Sequence, residues 1–314
     1  MNCKKNGKGL LFYENGETKY EGDFVNDLFE GTGKFTDEKG DYYEGLWLNG
    51  HKHGKGKECH KNKNVKYEGD FVNDKYEGNG RYNYENGNYY IGQFSNGYKN
   101  GNGIVYNKDG IIRYKGNFVN DRKEGFGQYF FENGEYYLGQ WLNDQRHGKG
   151  KVYYKNGAIK YEGDFVNDKY EGNGRYNYEN GNYYIGQWKN NERHGRGREY
   201  YNNGKIQYEG DFNNGKRQGL GKYFSENGDI FIGQFLNDTM HGRGTEYDKN
   251  GNIINTGNYV NGEFENDVEN IVYNNIDPFL NKNANNQGIN YQEGNIIISN
   301  NNNFPNAQYL GGYL

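Results

Sequence analysis

Apolar and polar positions alternate in short runs along most of the chain. In the first clear run, Tyr20, Gly22 and Phe24 fall on one face of an extended segment and acidic residues fall on the other. Residues 31–35, Gly-Thr-Gly-Lys-Phe, repeat this alternation. Asn26-Asp27 lies between the two runs, and both residue types tolerate the positive φ of a tight hairpin turn. The pattern therefore predicts a β-hairpin.

The hairpin pattern recurs along the chain. An aromatic-x-Gly step appears every 23 or 24 residues, and a Gly-x-Gly step lies eleven residues after it. The steps begin at Tyr20, Tyr43, Tyr67, Tyr90, Tyr114, Tyr137, Tyr161, Tyr184, Tyr208 and Phe231, with a degenerate copy at Asn255. Gly7-Lys8-Gly9 is a second half without a first half, so we expect the chain to open within a repeat. Residues 66–93 and 160–187 are identical and lie 94 residues apart, which is two double units of 47.

The spacing also predicts how the strands pair. Placing Tyr20 opposite Phe35 and Gly22 opposite Gly33 brings opposite charges together on the other face. This thirteen-residue offset pairs Glu21–Lys34, Glu44–Lys57, Glu68–Arg81, Glu162–Arg175 and Glu209–Lys222, and it pairs Ile91 with Ile104. The glycines of both steps then share the face of the rings, where they leave a floor on which an aromatic side chain can lie.

Alternate repeats contain one extra residue. The aromatic residue after the Gly-x-Gly step stands two positions on at Phe35, but three positions on at Tyr106. The same longer spacing occurs at Tyr153, Tyr200 and Tyr247, and Cys59 takes this position once. We therefore predict a β-bulge or a longer turn in these repeats.

Composition narrows the class of protein. Hydrophobic residues are only 32% of the chain, but aromatic residues reach 18%, which disfavours simple disorder. A net charge of −4 disfavours nucleic-acid binding. No apolar run approaches the roughly 18 residues of a membrane span, and no signal peptide is expected. Cys3 and Cys59 are too few for a disulfide framework, which fits a reducing compartment.

The repeats resemble those of the membrane occupation and recognition nexus (MORN) family over about residues 6–263. The resemblance is carried by Tyr161-Glu162-Gly163-Asp164-Phe165 with Gly172-Asn173-Gly174, and by Tyr137-Leu138-Gly139-Gln140-Trp141 with His147-Gly148-Lys149-Gly150. It implies an all-β fold, an elongated, single-layer, twisted and grooved antiparallel sheet of about eleven hairpin repeats. It also implies roles as cytoskeletal or ciliary scaffolds, or as adaptors at membranes.

We expect two regions, the hairpin array at residues 1–263 and a short irregular, Asn-rich tail or cap at residues 264–314. Within the tail, residues 296–299 read as a strand. The segment either caps the last hairpin or binds a partner, and the sequence leaves both alternatives open.

Two surfaces are candidates for binding. The rings on one side of the sheet could form a groove for a partner helix or peptide, or could only pack on the glycine floor. The candidate groove comprises Tyr20, Phe24, Trp47, Phe71, Phe118, Trp141, Phe165, Trp188 and Phe212. A basic ridge beside the first hairpin turns could face anionic lipid, or could be a solvated edge. The candidate ridge comprises Lys52, Lys75, Lys99, Arg122, Arg146, Lys169, Arg193 and Arg217.

Other motifs favour structural roles. The Gly-x-Gly steps precede no helix, so they do not indicate phosphate loops. His51 and His53 lie far along the strand from Cys59 and His60, which disfavours one metal centre. His53, His147, His194 and His241 share one position before glycine, where a structural turn residue is the favoured interpretation. No catalytic constellation breaks the repeat, so we predict no enzyme, no metal site and no cofactor.

The sequence therefore predicts a non-enzymatic scaffold or adaptor that binds protein partners, cytoskeletal or ciliary ones first. The alternatives are a peripheral membrane module that binds anionic phospholipids and a non-catalytic subunit of an enzyme complex. We expect a cytoplasmic protein associated with the cytoskeleton or a cilium, or with the cytoplasmic face of a membrane, and no nucleic-acid partner. The half-repeat at residues 4–9 predicts an open sheet edge and a homodimer formed through sheet ends.

Overall fold

The computed structural model describes residues 4–265, 291–292 and 295–296. Residues 1–177 belong to one compact unit and residues 178–314 to a second. The described residues form an all-β fold and contain no helix, so none of them builds a helical membrane span. The fold class predicted from the sequence is confirmed. The predicted tail, residues 264–314, lies almost entirely outside the described residues, as does Cys3.

The first unit is an antiparallel meander in which each strand pairs with the next one along the chain. Its strands are β1 (Gly7–Phe12), β2 (Thr18–Val25), β3 (Leu28–Thr36), β4 (Tyr42–Leu48), β5 (His51–Cys59), β6 (Val65–Val72), β7 (Lys75–Asn83), β8 (Tyr89–Ser95), β9 (Tyr98–Tyr106), β10 (Ile112–Val119), β11 (Arg122–Phe130), β12 (Tyr136–Leu142), β13 (Gln145–Tyr153), β14 (Ile159–Val166) and β15 (Lys169–Asn177).

The second unit repeats the same meander. Its strands are β16 (Tyr183–Lys189), β17 (Glu192–Tyr200), β18 (Ile206–Asn213), β19 (Lys216–Phe224), β20 (Ile230–Leu236), β21 (Thr239–Tyr247), β22 (Ile253–Val260) and β23 (Glu263–Glu265). In the tail, the short strands β24 (Tyr291–Gln292) and β25 (Asn295–Ile296) pair with each other, and residues 297–299 of the predicted strand lie outside the described residues.

The strand register agrees with the sequence prediction. Tyr20 lies opposite Phe35 and Gly22 opposite Gly33. The charged pairs that share this offset are confirmed in β4–β5, β6–β7, β14–β15 and β18–β19, as is the apolar pair in β8–β9. Since a slip of one residue would exchange the two faces, this agreement fixes which side chains point to the rings.

Two kinds of turn join the strands. At the first, Asn26 and Asp27 both have positive φ, 50° and 73°, as a type I′ turn requires. At the second, the Gly87 amide donates to the Tyr84 carbonyl, and the Tyr84 amide donates to the Asn88 carbonyl. The predicted Asn-Asp and Asn-Gly turns are therefore both present.

The extra residue of alternate repeats forms the predicted β-bulge. Glu58 pairs with Tyr67 and Cys59 with Val65, so Lys66 has no residue opposite it. The bulge lies on the strand that follows the longer Gly-x-Gly strand. The unpaired residues recur every 47 positions along the chain. These residues are Lys19, Lys66, Arg113, Lys160, Gln207 and Ile254.

A second bulge corrects one expectation about the glycines. Gly22 pairs with Gly33 but Asp23 pairs with Glu30, so the first glycine of the Gly-x-Gly step falls in a register shift. Gly31 has φ of +63°, and a methyl group there would lie 3.0 Å from the Asp23 carboxylate instead of meeting a ring. The prediction that both glycines lie under the rings is therefore wrong for the first one, which is a bulge residue in the left-handed region.

The last glycine of each step forms a continuous row across the strands of each unit, and the rings lie on this row. In the first unit the row runs through Gly9, Gly22, Gly33, Gly45, Gly56, Gly69, Gly80, Gly92, Gly103, Gly116, Gly127, Gly139, Gly150, Gly163 and Gly174. A methyl group at Gly33 would overlap the Tyr20 ring, and one at Gly22 would lie 2.6 Å from the Gly33 Cα. We call the side that carries the rings the ring face and the opposite side the outer face.

Candidate functional site

Each repeat fixes one tyrosine on the glycine row. The Tyr20 ring lies across Gly22 and Gly33, and its hydroxyl donates to the Asp23 carbonyl at 3.1 Å. Burial raises the pKa of this hydroxyl to about 12. The same hydrogen bond recurs at Tyr137, whose hydroxyl donates to the Gln140 carbonyl at 2.8 Å. These tyrosines are held by packing and by their own backbone, which makes them a rigid layer.

The residues of the candidate groove belong to this buried layer. Phe24 meets the edge of Tyr20 at 5.1 Å between centroids, and Trp47 meets it at 5.6 Å. All nine candidate residues are between 0% and 7% exposed. They pack on one another and on the glycine row. A partner that approaches the ring face therefore first meets the side chains that cover these rings.

The covering side chains occupy one position, the second residue after the first hairpin turn. In some repeats this residue is aromatic: Tyr76 stacks on Tyr67 at 3.8 Å between centroids. In others it is a cation: Lys99 lies 5.7 Å from the Tyr90 centroid, and the Arg217 guanidinium lies 5.0 Å from that of Tyr208. Both kinds of group are attracted to the face of an aromatic ring. We call this the capping position.

The structure divides the candidate ridge between the two faces. Lys52, Lys99, Arg146, Arg193 and Arg217 are at capping positions, and their side chains are only 16–23% exposed. Lys75, Arg122 and Lys169 stand one position earlier in their strands, on the outer face, and are exposed. Neighbouring strand residues point to opposite sides, so the eight cations do not form one line.

Two glutamates lie beneath the capping cations, and they were not predicted from the sequence. Glu58 binds Lys52, accepts a hydrogen bond from the Tyr76 hydroxyl at 2.6 Å, and lies 3.7 Å from Lys66. Glu199 is 8% exposed and is bound by both Arg193 and Arg217. Charged carboxylates this far from water require such partners.

The ionisation of Glu58 follows from its contacts. Burial acts to raise the pKa of Glu58, but the Lys52 ammonium and the hydrogen bonds from Lys52 and Tyr76 outweigh it and hold the pKa below its usual value. Glu58 and Glu199 fill the position taken by Val105 and Val152 in other repeats. A glutamate at a position that is apolar in other repeats is the sequence feature that could have identified these two residues.

The outer face carries alternating charges. Lys57 and Glu68 lie 3.3 Å apart, and Lys151 and Glu162 lie 2.9 Å apart, across adjacent strands. A shallow concavity of about 810 Å³ lies on this face of the first unit. Its floor is the glycine row and its walls include Glu44, Lys57, Glu68, Arg81 and Ile91. The charges largely neutralise each other, so this concavity has no strong preference for either sign.

A row of apolar side chains lies beside the first hairpin turns on the outer face of the first unit. Each member directly precedes or follows a turn and is 40–46% exposed. The row comprises Val25, Leu28, Leu48, Val72, Val119, Leu142 and Val166. Exposed apolar rows of this kind are typical of protein interaction sites. We call it the outer row, and it was not predicted from the sequence.

The histidines and Cys59 do not come together. His51 Nδ1 lies 2.6 Å from Asp74, whereas His60 Nδ1 lies 3.4 Å from Asp41. Cys59 is buried and has a free thiol. Within residues 4–265 no group of three potential ligands is arranged to hold a metal ion.

The chain was compared with solved structures and with curated proteins. A mutant of the TCP10 domain of CPAP from Danio rerio is 12% identical, covers 80% of this chain and 99% of its own, and has a TM-score of 0.23. A protein of unknown function from Bacteroides caccae is 10% identical, covers 82% and 91%, and has a TM-score of 0.16. Neither similarity carries a functional argument. No curated protein matches the sequence.

The family models give a direct result. The MORN repeat model matches ten consecutive segments, at residues 20–42, 43–65, 67–89, 90–111, 114–136, 137–159, 161–183, 184–206, 208–230 and 231–253. A MORN repeat variant matches residues 5–26. These segments cover most of the chain and coincide with the hairpins described above. The chain therefore belongs to the MORN repeat family.

Proposed function

We propose that this chain is a non-catalytic scaffold that binds protein partners, cytoskeletal or ciliary ones, in the cytoplasm. MORN repeats are consistent with a non-catalytic repeat scaffold. The observation that carries the proposal is the outer row, in which exposed valine and leucine side chains stand beside six of the seven first hairpin turns of the first unit. A surface that repeats in this way can hold an elongated partner at several points at once, which raises the total affinity.

The rigid ring layer supports this role. The buried tyrosines and their capping residues hold each strand in place, so the outer row is presented without a large ordering cost on binding. The candidate groove on the ring face stays a prediction, and a partner there would contact capping residues such as Tyr76 and Lys99.

Co-sedimentation tests the proposal. Full-length protein is mixed with purified microtubules or actin filaments and compared with a variant carrying Val72→Glu and Val119→Glu. We expect wild-type protein in the filament pellet and a roughly tenfold loss for the variant, because two carboxylates would have to lose water where apolar side chains now make the contact. Asn86→Asp, at an exposed second turn, is the control. Wild-type protein that stays in the supernatant with both filaments contradicts a cytoskeletal role.

A second candidate function is binding to an anionic membrane surface. Lys75, Arg122 and Lys169 are exposed on the outer face, and each pairs across its hairpin turn with a valine of the outer row. Cations beside apolar side chains suit the headgroup region of an anionic bilayer. Flotation with phosphatidylserine vesicles tests this: Lys75→Gln with Arg122→Gln should weaken binding, and equal binding to neutral vesicles contradicts it.

A further inference from the structure

Two ion pairs recur on the outer face of the first unit, where a Gly-x-Gly strand meets the strand that follows it. In β5–β6, Lys57 lies 3.3 Å from Glu68 and Lys55 lies 2.7 Å from Asp70. The equivalent pairs in β13–β14, 94 residues later in the sequence, are 2.9 Å and 2.6 Å long. Opposite charges on neighbouring strands stabilise the sheet and leave little net charge on its outer face.

Neither ion pair is possible in β9–β10, which lies halfway between those two strand pairs in the sequence. Ile104 lies opposite Lys115, and Asn102 lies opposite Asn117. An apolar side chain and two amides thus take the place of two lysines and an aspartate, and Lys115 takes the place of a glutamate. The residues 47 and 94 positions away on either side of Lys115 are all glutamates, namely Glu21, Glu68, Glu162 and Glu209.

Lys115 therefore has no counter-charge beside it. It is exposed, and it forms no ion pair with any residue between 4 and 265. Gln128 lies across from it on the next strand, where the equivalent residues of β7 and β15 are arginines. The carboxylate of β11, Glu124, accepts a hydrogen bond from the Asn143 amide at 3.0 Å. An exposed lysine without the partners of its equivalents is available to a carboxylate from another molecule.

Exposed apolar side chains lie on both sides of Lys115. Phe126 is 61% exposed and stands between the two glycines of a step in which β7 and β15 have asparagine. Ile91 is 42% exposed and lies opposite Ile104. Because neighbouring strands lie about 4.8 Å apart, the row from Ile91 to Leu138 across β8–β12 spans about 19 Å. The row comprises Ile91, Ile104, Lys115, Gln128 and Leu138, and Phe126 lies beside Gln128 on the same face.

The ring face of the same strands keeps the packing of the other repeats. Tyr114 and Phe118 are only 1% and 2% exposed, and their rings meet edge to face at 5.1 Å between centroids. The Lys123 ammonium caps Tyr114 at 5.7 Å from its centroid. The packing that folds this repeat is intact, so the differences on the outer face are not required for folding.

We propose that the outer face of β8–β12 binds a segment of a partner protein that carries a carboxylate between apolar side chains. Lys115 binds the carboxylate. Ile91 and Ile104 contact the apolar side chains on one side of it, and Phe126 contacts those on the other. The Gln128 amide donates to a carbonyl of the segment. We call this surface the outer-face patch. The inference rests on the proposed scaffold function and names the chemistry of one partner.

The amount of charge favours a protein segment over a larger polyanion. Lys115 is the only charged residue of the row. One lysine near an anionic bilayer contributes about 1 kcal/mol, and nucleic-acid binding takes several phosphate contacts. A single carboxylate between apolar side chains matches a single cation between apolar side chains, and the combination provides specificity that charge alone does not.

Selection from a peptide library tests this chemistry. A phage-displayed library of short random peptides is panned on the full-length protein, and the affinity of the enriched peptides is measured by fluorescence anisotropy. We expect peptides in which Asp or Glu stands between apolar residues. Replacement of that residue by Asn or Gln should weaken binding roughly tenfold. Enrichment of peptides without a carboxylate, or of no peptide, overturns the proposal.

One variant removes the outer-face patch and restores the pattern of the other repeats. Lys115→Glu with Ile104→Lys rebuilds the ion pair of β5–β6, so the protein should fold, and we expect at least about tenfold weaker peptide binding. Phe126→Asn, which introduces the residue of β7 and β15, should also weaken binding roughly tenfold. Lys155→Glu, at an exposed turn, is the control and should bind like wild type. Undiminished peptide binding by the Lys115→Glu with Ile104→Lys protein contradicts the proposal.

A double-mutant cycle tests whether Lys115 itself binds the carboxylate. Lys115→Gln and the change of the peptide carboxylate to an amide should together weaken binding about as much as either change alone, because both remove the same interaction. If the two losses multiply, the carboxylate binds elsewhere and the proposal fails.

These measurements need no filaments, so they separate the outer-face patch from the cytoskeletal role. Filament binding without carboxylate-dependent peptide binding overturns the outer-face patch alone. Carboxylate-dependent peptide binding without filament binding supports the outer-face patch and overturns only the cytoskeletal role.

Discussion

The ring of Phe29 stacks on the ring of Tyr20, with centroids 3.7 Å apart and planes inclined by 9°. One repeat later the same capping position holds Lys52, whose ammonium lies 5.2 Å from the Tyr43 centroid. A flat ring and a cation are thus interchangeable above the buried tyrosine. Both shield its face from water, and both are attracted by its electron density.

Exchange of the two kinds of cap should therefore be tolerated. We expect Phe29→Arg to lower the free energy of unfolding by about 1 kcal/mol or less, since a cation replaces the stacked ring. Phe29→Glu should cost about 2–4 kcal/mol, because it removes a large apolar contact and places a carboxylate over the negative face of the ring. Leu28→Glu, on the exposed outer face, is the control and should change stability little. Urea denaturation measures all three, and equal effects of Arg and Glu at position 29 would refute the interchange.

The glycine row should not accept a side chain. Gly150→Ala places a methyl group inside the Tyr137 ring, so we expect a loss of about 3 kcal/mol or more. Gly157→Ala is the matched control: it lies at φ of +84° in a turn with open space around it, and should cost only about 1–2 kcal/mol of backbone strain. Thermal unfolding compares the two variants. A smaller loss at Gly150 than at Gly157 would contradict the packing described here.

Removal of the Lys52 ammonium should lower the free energy of unfolding, because the buried Glu58 carboxylate loses its cationic partner. Lys52→Met leaves the carboxylate with Tyr76 and the more distant Lys66, so we expect a loss of about 3 kcal/mol at pH 7. In wild type the folded-state pKa of Glu58 is held below its usual value of 4.5. The pair's contribution is therefore complete above about pH 4.5 and is lost as pH falls below it.

The variant should lack this acid-side dependence, because the pKa of Glu58 no longer lies below that of the unfolded chain. Denaturation midpoints between pH 3 and pH 7 measure the difference. Lys75→Met, one position before Tyr76 on the outer face, is the control and should shift stability by less than about 0.5 kcal/mol. An unchanged pH profile in Lys52→Met would count against the ion pair.

The buried tyrosines should set an alkaline limit. The pKa of Tyr20 is raised to about 12 by burial, so folding favours the neutral hydroxyl. Stability from this preference is complete below pH 10, the usual tyrosine value, and is lost as pH rises from 10 toward 12. The ultraviolet absorbance of tyrosinate measures how many tyrosines have lost their proton. We expect a fraction of the tyrosines to titrate only when the β-sheet circular dichroism signal is lost. Full titration of all tyrosines near pH 10 in a folded protein would contradict their burial.

The strands, both turn types, the register and the bulge that recurs every 47 residues were predicted from the sequence. These features depend on the alternation of apolar and polar residues and on local turn chemistry. The first glycine of each Gly-x-Gly step was misplaced, since a register shift at Gly31 changes which side a side chain would take. The sequence pattern does not reveal this shift, because a glycine has no side chain whose character would show which face it occupies.

The candidate surfaces were harder to predict for a geometric reason. The ridge combined Lys52 and Lys75 because both follow a turn, yet they stand one residue apart in their strands and so point to opposite faces. Likewise, nothing local marks Trp47 as fully covered. Its burial depends on contacts with Tyr20, Phe29 and Tyr43 from three other positions in the sheet.

The bulges at Lys19, Lys66 and Arg113 set the size of the smallest exchangeable segment. Repeats of 23 and 24 residues alternate, and only every second repeat is followed by a bulge. Removal of one repeat alone would therefore place two repeats of the same length next to each other. Duplication or deletion is neutral for pairing only in steps of 47 residues. The identical stretches 66–93 and 160–187, two such steps apart, are what growth by whole double hairpins would leave behind.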